Sequence, residues 1–199
     1  MLPFLEIIQS ADAAILFQIY QSGGNSFFDF TAILFSYIGT FRLAAILLGI
    51  FFWQKKETRQ ITYVLFASII VSSLAVGFLK DITERPRPYI TLGLTAADIL
   101  VSANPYASFP SGHTANAFVT AAAVSYYFRK WLIPALLTAF VAGLSRIYLL
   151  VHYPSDVIAG AIIGISTVFV IILISKKLQK HGNSRLKDES AANRQMRNE

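Results

Sequence analysis

The chain has 199 residues, of which 55% are hydrophobic and only 14% are charged. Soluble domains average about 25% charged residues, so this composition excludes an ordinary soluble domain and indicates a membrane protein. The absence of cysteine excludes disulfides, thiolate zinc sites and a cysteine nucleophile, and the net charge of +6 indicates nucleic-acid binding only if the basic residues share one face.

The first segment, residues 1–21, mixes apolar residues with polar ones. Glu6, Gln9, Asp12 and Gln18 interrupt its Leu, Ile and Phe residues, a pattern typical of an interfacial amphipathic helix. The segment also lacks the positively charged start and the cleavage site of a signal peptide. We therefore expect a helix that lies in the membrane surface.

Five later stretches are long and apolar enough to cross a bilayer, which takes about 20 residues. They are residues 27–53, 60–79, 108–128, 131–150 and 157–175. The first of them carries Asp29 and Arg42, which lie about 20 Å apart along a straight helix and so cannot pair there. The sequence predicts an all-α, polytopic transmembrane helix bundle with five spans, or six if residues 1–21 also cross.

Basic residues are distributed unevenly between the two ends of these spans. Twelve lie in the 54–59 loop, the 129–130 turn and the tail, whereas Lys80, Arg85, Arg87 and Arg146 lie at the opposite ends. Cytoplasmic loops retain positive charge, so the C-terminus is predicted to be cytoplasmic and the 80–112 and 146–156 connections to face outward. This distribution does not favour nucleic acid as a partner.

Residues 181–199 are polar, mixed in charge and without apolar periodicity. Such a composition is typical of disorder. The predicted organisation is one membrane-integral domain over residues 1–180 and a disordered cytoplasmic tail over residues 181–199.

Three segments bring ionisable residues to the predicted outer ends of the spans. A lone Lys or Arg at such an end usually only reaches towards the head groups, but a concentration of ionisable residues indicates function. The first segment, residues 80–88, holds Lys80, Arg85 and Arg87, and its two prolines stiffen the chain. Guanidinium and ammonium groups match phosphate oxygens, so this segment predicts a site for an anion.

The second segment, Pro110 to His113, begins a predicted helix. Pro and Ser are typical of helix starts, and Gly112 lets a ligand approach the backbone amides. The unpaired N–H groups of a helix N-terminus also favour anions. Ser111 is therefore either a helix cap or an anion ligand, and packing does not readily explain His113.

The third segment runs from Ser145 to Asp156. Pro154 suits the first turn of a helix, and the turn is expected to bring Asp156 close to His152. A carboxylate on one imidazole nitrogen fixes the tautomer and leaves the other nitrogen free to attack an electrophile. Because the chain has no cysteine, His152 is the strongest candidate for a nucleophile.

These residue types also occur in two other kinds of site. Two His and one Asp can hold iron or zinc, but the four nearby cationic groups would repel a divalent metal and instead suit phosphate. A non-catalytic anion transporter or lipid-phosphate-binding protein would need the basic groups without the His–Asp pair. A transporter would also be expected to have broken helices at the membrane midplane, which the sequence does not show.

Taken together, the three segments resemble the type 2 phosphatidic acid phosphatase superfamily, which also contains vanadium haloperoxidases. Its motifs K-x6-R-P, P-S-G-H and S-R-x5-H-x3-D match here at Lys80 to Pro88, Pro110 to His113 and Ser145 to Asp156, with no defining position substituted. The resemblance implies a phosphatase that needs no metal or cofactor. The five predicted spans argue against a haloperoxidase.

The resemblance also implies a role for each motif residue. His152 would attack phosphorus with Asp156 orienting it, and His113 would act as general acid and then as general base. The implied phosphoryl-binding residues are Lys80, Arg87, Ser111, Gly112 and Arg146.

A site at the membrane surface suits a lipid phosphate. Compact bacterial members of the family act on undecaprenyl pyrophosphate, phosphatidylglycerol phosphate or phosphatidic acid, and the motifs do not select among these lipids. The moderately apolar 89–107 loop joins two motif segments, and its position predicts a lid or a lipid entrance. The oligomeric state is not indicated by the sequence.

Overall fold

The computed structural model describes residues 3–22, 24–38, 46, 48–51, 53–54, 58–95, 98–101 and 103–197. Within these residues the chain is helical and has no strand, which confirms the all-α class. The helices are α1 (Pro3–Gln21), α2 (Ser26–Ile38), α3 (Arg59–Thr83), α4 (Pro88–Thr91), α5 (Gly112–Tyr127), α6 (Leu132–Tyr148) and α7 (Pro154–Arg197). A 3₁₀ turn over Arg129–Trp131 precedes α6.

Helix α5 is the centre of the bundle and packs against α3, α6 and α7. Its sequence is rich in alanine, and small side chains allow neighbouring helices to approach closely. Ala117 and Ala121 meet Ala139 and Ala142 of α6 in one buried cluster. A second buried cluster joins α5 to α3 and α7 through Val64, Leu65, Val119, Ala123, Val168 and Ile172.

Two glycines set the crossing of α7 over the start of α5. A Cβ atom added to Gly160 would lie 2.5 Å from the carbonyl oxygen of Ser111, and one added to Gly164 would lie 2.4 Å from that of Ala115. The two glycines are four residues apart and so share one helix face, the spacing of small residues typical of membrane helix pairs. This close approach holds the first turn of α5 against the first turns of α7.

Three helical stretches among the described residues are long and apolar enough to cross a membrane: Arg59–Thr91, Arg129–Tyr148 and Pro154–His181. Their outward faces carry exposed apolar side chains, including Ile70, Leu74, Phe78, Ile133, Leu137, Phe140, Ile158, Ile162, Phe169 and Leu173. Helix α5 has only 16 residues, and because other helices enclose it, its Thr and Asn residues do not meet lipid. The predicted number of five or six spans is therefore not confirmed, although the membrane character is.

The predicted span over residues 27–53 is described only in part. Helix α2 ends at Ile38, and Arg42 lies outside the described residues. The Asp29 carboxylate accepts a hydrogen bond from the Tyr148 hydroxyl at 2.7 Å. This contact supplies the partner for Asp29 that sequence reasoning did not find.

The two ends of the chain form helices. The predicted N-terminal helix is confirmed as α1, which is not among the three membrane-crossing stretches, while its interfacial location stays a prediction. At the other end α7 continues without a break through His181 to Arg197, while the division into a membrane domain and a disordered tail stays a prediction. Residues 185–197 are rich in good helix formers such as Ala, Arg, Lys, Glu and Gln, which explains how the backbone continues the helix beyond the apolar part.

Candidate active site

Arg87 joins the first and third motif segments. It lies between α3 and α4, is buried, and donates from Nη1 to the carbonyl oxygen of Val151 at 2.6 Å. The same Nη1 lies 3.2 Å from Nε2 of His152. Its Nε donates to the carbonyl oxygen of Asn104 at 2.5 Å. The guanidinium is therefore held by backbone carbonyls with one edge against the imidazole.

The turn between α6 and α7 determines where His152 lies. The N–H groups of Val151 and His152 both donate to the carbonyl oxygen of Arg146 at 3.2 Å. Leu150 adopts a left-handed conformation with φ of 56°, which reverses the chain at the end of α6. His152 is thereby folded back over the end of the helix that carries Arg146.

His152 and Asp156 face each other inside the protein, with His152 only 1% exposed. Nδ1 of His152 lies 3.5 Å from Oδ2 of Asp156. Because a guanidinium can only donate, Nε2 accepts from Arg87 and the ring hydrogen is placed on Nδ1, facing the carboxylate. The tautomer is the one that leaves the Nε2 lone pair available for attack.

Other groups hold Asp156 more tightly than His152 does. Its Oδ2 accepts from the Ser108 hydroxyl at 2.5 Å and from the Tyr153 N–H at 2.9 Å. Its Oδ1 accepts from Nη1 of Arg85 at 2.6 Å. The carboxylate is thus fixed in position before any ligand arrives, and His152 Nδ1 makes no short hydrogen bond.

Burial, together with the positive charges of Arg87 and Arg146, lowers the pKa of His152 to about 3, against the opposing effect of Asp156. The imidazole is therefore neutral at physiological pH. A neutral imidazole is the form that can act as a nucleophile.

Arg146 lies in the last turn of α6 and is buried. Its Nη1 donates to the hydroxyl of Ser36 in α2. Its Nε is buried and has no hydrogen-bond partner among the described residues. An unpaired buried donor is costly, so this atom marks a place where an acceptor such as a phosphoryl oxygen would be stabilised.

The second motif segment meets the third through the backbone. The N–H of Ser111 donates to the carbonyl oxygen of Asp156 at 3.0 Å. The Ser111 hydroxyl accepts from the N–H of Thr114 at 3.4 Å, so Ser111 is the N-cap of α5. His113 is the second residue of this helix and is half-buried. A Cβ atom on Gly112 would make only an ordinary contact with Val76, so packing does not require glycine there.

Lys80 reaches the same end of the bundle from the last turn of α3. Its ammonium group donates to the carbonyl oxygen of Ala107, and the charges of Arg87, Arg146 and Asp156 act on it. Residues from all three motifs therefore lie at the same end of the bundle, where Arg87 contacts His152 and Ser111 contacts Asp156.

The family is established by comparison with known proteins. A family model described as the PAP2 superfamily matches residues 61–180. The undecaprenyl-diphosphatase BcrC of Bacillus subtilis (strain 168) is 30% identical over 162 residues, which cover 78% of this chain and 79% of that protein. The chain belongs to the PAP2 superfamily. This confirms the family predicted from the three motifs.

Two solved structures are similar to this PAP2 protein. Aquifex aeolicus LpxE has a TM-score of 0.69 and 29% identity, with 80% of this chain and 93% of that chain covered. The first transmembrane PAP2-type phosphatidylglycerolphosphate phosphatase of Bacillus subtilis also has a TM-score of 0.69, with 25% identity and coverage of 86% and 87%. The relatives named as enzymes are phosphatases, and this PAP2 protein is accordingly an enzyme that hydrolyses phosphoric esters or pyrophosphates.

Three residues that support the PAP2 site were not predicted from the sequence. Arg85 and Ser108 hold Asp156, and Asp12 of α1 binds Arg85. The two prolines that follow Arg85, Pro86 and Pro88, indicate that this arginine is held in place, but they give no partner for it. Asp12 is one of the polar residues that interrupt the apolar pattern of residues 1–21, and its distance in sequence from residue 85 gives no indication of contact.

The C-terminal end of the 89–107 loop is hydrogen-bonded to residues of the first motif. Carbonyl oxygens of Asn104 and Ala107 accept from Arg87 and Lys80, and that of Ala103 accepts from the Tyr89 hydroxyl at 3.0 Å. Lys80 and Arg87 of the first motif therefore use loop carbonyls as partners in this structure.

Proposed function

We propose that this PAP2 protein is a metal-independent membrane phosphatase that removes the phosphomonoester or pyrophosphate group of a lipid through a phosphohistidine intermediate. The observation that carries the proposal is the buried, neutral His152, with Nε2 beside Arg87 and Nδ1 facing Asp156. A histidine with its hydrogen on Nδ1 can attack an electrophile through Nε2.

In the first step, Nε2 of His152 attacks phosphorus and the bond to the leaving oxygen breaks. His113 gives its proton to that oxygen. Asp156 stabilises the positive charge that develops on the imidazole, since its carboxylate lies 3.5 Å from Nδ1.

In the second step, His113 takes a proton from water, the water oxygen attacks phosphorus, and the phosphorus–nitrogen bond breaks. Phosphate leaves and His152 returns to its neutral form. The phosphoryl oxygens are held by Lys80, Arg87, Arg146, the Ser111 hydroxyl and the Gly112 amide. Fixed cations around the phosphoryl group are the main means of lowering the barrier to phosphoryl transfer.

The apolar helix faces around the site support a lipid as the substrate. The helices around the site carry apolar faces that suit lipid, so a lipid phosphate can reach the site while its tail stays in the bilayer. Undecaprenyl pyrophosphate and phosphatidylglycerol phosphate are the substrates that the relatives' names suggest, and phosphatidic acid has the same chemistry at its monoester.

The proposal also includes a topology: five spans in a cell membrane, an extracytoplasmic site and a cytoplasmic C-terminus. Because the chain has no cysteine, single cysteines at Asn25 and Asn183 report the side of each position by reaction with an impermeant thiol reagent. Labelling of intact cells at Asn25→Cys but not at Asn183→Cys is expected. Equal labelling would contradict the five-span topology.

Phosphate release tests the activity itself. The purified protein in detergent is given undecaprenyl pyrophosphate, phosphatidylglycerol phosphate, phosphatidic acid and a soluble phosphomonoester, with EDTA present. We expect lipid phosphates to be hydrolysed, vanadate to inhibit, and His152→Ala to abolish turnover. His181→Ala, a change of the exposed histidine of α7, is the matched control and should retain full activity.

Three results would contradict the proposal. Full turnover in His152→Ala would remove the nucleophile, and hydrolysis of the soluble ester alone would remove the lipid. Binding of lipid phosphates without hydrolysis would favour a lipid-phosphate-binding protein or an anion transporter.

A further inference from the structure

Helix α1 buries the carboxylate of Asp12 against the active site. Asp12 is 3% exposed, and Leu16, one turn later, is buried beside Ile147 and Tyr153. The described side chains around them on α1, from Ile7 to Gln21, are otherwise exposed or half-buried. A buried carboxylate is expensive unless it is paired, so Asp12 needs a specific partner.

Asp12 has two partners, which both belong to the catalytic end of the bundle. Its Oδ2 accepts from Nη2 of Arg85 at 2.8 Å and from the Ser155 hydroxyl at 2.5 Å. Its Oδ1 accepts from the N–H of Ser155 at 3.0 Å. Ser155 lies directly before Asp156, so α1 is tied to the first turn of α7.

Arg85 bridges Asp12 to Asp156. Its Nη2 binds Asp12, while its Nη1 donates to Oδ1 of Asp156 at 2.6 Å and to the Ser155 hydroxyl at 2.8 Å. The guanidinium also lies over the ring of Tyr153, with 3.9 Å from Cζ to the ring centroid. A planar guanidinium held on these sides fixes the orientation of the Asp156 carboxylate.

The charges along this chain of contacts explain why Asp12 is needed. Arg85 alone would cancel the charge of Asp156, and the pair would offer little to the positive imidazole that develops on His152. With Asp12 present, the three groups Asp12, Arg85 and Asp156 carry one net negative charge. Asp156 can then be held by an arginine and still stabilise a cation at Nδ1 of His152.

We propose that Asp12 is a positioning residue for the His152–Asp156 pair, acting through Arg85, so that helix α1 completes the active site. This inference rests on the proposed phosphohistidine mechanism. It makes the N-terminal helix part of the catalytic support as well as a candidate membrane-surface element.

The test is Asp12→Asn, which keeps the shape of the side chain and removes its charge. We expect kcat to fall about tenfold to a hundredfold, the scale that loss of an orienting partner produces. The KM for the lipid phosphate should change less than threefold, because Asp12 does not reach the phosphoryl-binding residues. Asp12→Glu restores the charge and should recover part of the lost kcat.

A double-mutant comparison separates positioning from simple docking of α1. If Asp12 acts through Arg85, Asp12→Asn should cause no further loss of kcat in an Arg85→Gln background. Leu16→Ala loosens the same helix without touching the charges, and melting temperatures in detergent show how much each variant is destabilised. An equal loss of kcat in Leu16→Ala and Asp12→Asn at equal destabilisation would overturn the inference.

The outcome for His152→Ala distinguishes a failure of the positioning role of Asp12 from a failure of the proposed function. If that variant is inactive while Asp12→Asn keeps the wild-type kcat, the positioning role of Asp12 is wrong and the proposed function stands. If His152→Ala retains turnover, the proposed function falls and the inference falls with it.

Discussion

The N–H of Ser111 donates a hydrogen bond to the carbonyl oxygen of Asp156 at 3.0 Å, and this one contact joins the start of α5 to the start of α7. Ser111 belongs to the second motif and Asp156 to the third. The contact forms because Gly160 lets the two helices approach until an added Cβ would be 2.5 Å from the Ser111 carbonyl oxygen. The packing of small residues therefore sets the geometry of the site.

Replacing these glycines with alanine should separate the two helices. Gly160→Ala and Gly164→Ala are each expected to lower the free energy of unfolding by about 1–3 kcal/mol, because the new methyl groups meet backbone atoms that cannot easily move. Gly160→Ala should also reduce activity more, since its clash is at Ser111. Denaturation in detergent and phosphate release measure both effects.

Gly77→Ala is the matched control for these variants. A Cβ atom there would meet nothing within 4 Å, so this change in α3 should leave stability unchanged or raise it slightly. Equal stability of Gly160→Ala, Gly164→Ala and Gly77→Ala would contradict the account of the helix crossing.

The low pKa of His152 predicts a loss of stability in acid. Native His152 stays neutral down to about pH 3, whereas in the unfolded chain it takes up a proton below about pH 6.5. The unfolded state then binds more protons, so stability falls as the pH drops from 6.5 towards 3. His152 should account for about 2 kcal/mol of the loss between pH 7 and pH 5.

His152→Gln isolates this contribution, because it removes the titrating group and leaves His113 and His181 in place. The free energy of unfolding of His152→Gln should fall less than that of the wild type between pH 7 and pH 5. Identical pH dependence in the two proteins would show that His152 is not held neutral.

Features that depend on local sequence patterns could be predicted from the sequence. The all-α class, the N-terminal helix and the family all follow from apolar stretches and motif spacing. The partners of Asp12, Asp29 and Arg85 could not be predicted, because Tyr148, Asp156 and Ser155 reach them only through packing of distant segments.

Two of the five predicted spans are not among the three membrane-crossing stretches: residues 27–53 are described only in part, and helix α5 is short. Helix α5 is enclosed by its neighbours, so its composition is that of a protein interior and its 16 residues fall short of the usual span length. The glycine pair of α7 was visible in the sequence as two small residues four apart. It became informative only when the structure showed which helix lies against it.

The unpaired Nε of Arg146 predicts a loss of anion affinity when the guanidinium is replaced. Arg146→Lys keeps the positive charge but has no donor at the Nε position. Inhibition by vanadate should weaken about tenfold to a hundredfold, because a hydrogen bond to a charged group contributes about 1.5–3 kcal/mol. Arg129→Lys, an exposed arginine of the 3₁₀ turn, should leave inhibition as in the wild type. Equal vanadate inhibition in Arg146→Lys and Arg129→Lys would show that the Nε atom does not contact the anion.

The proposed division of roles between the two site histidines predicts that one variant accumulates the intermediate. His113→Ala should still form the phosphohistidine from an activated substrate, whose leaving group needs no proton, but should hydrolyse it slowly because the general base is lost. Radiolabelled phosphate should therefore stay on the protein after a rapid alkaline quench and be released by acid, as is typical of phosphorus–nitrogen bonds. Label in the double variant His113→Ala, His152→Ala would place the phosphoryl group on another residue. Full turnover without any accumulation in His113→Ala would remove His113 from the second step.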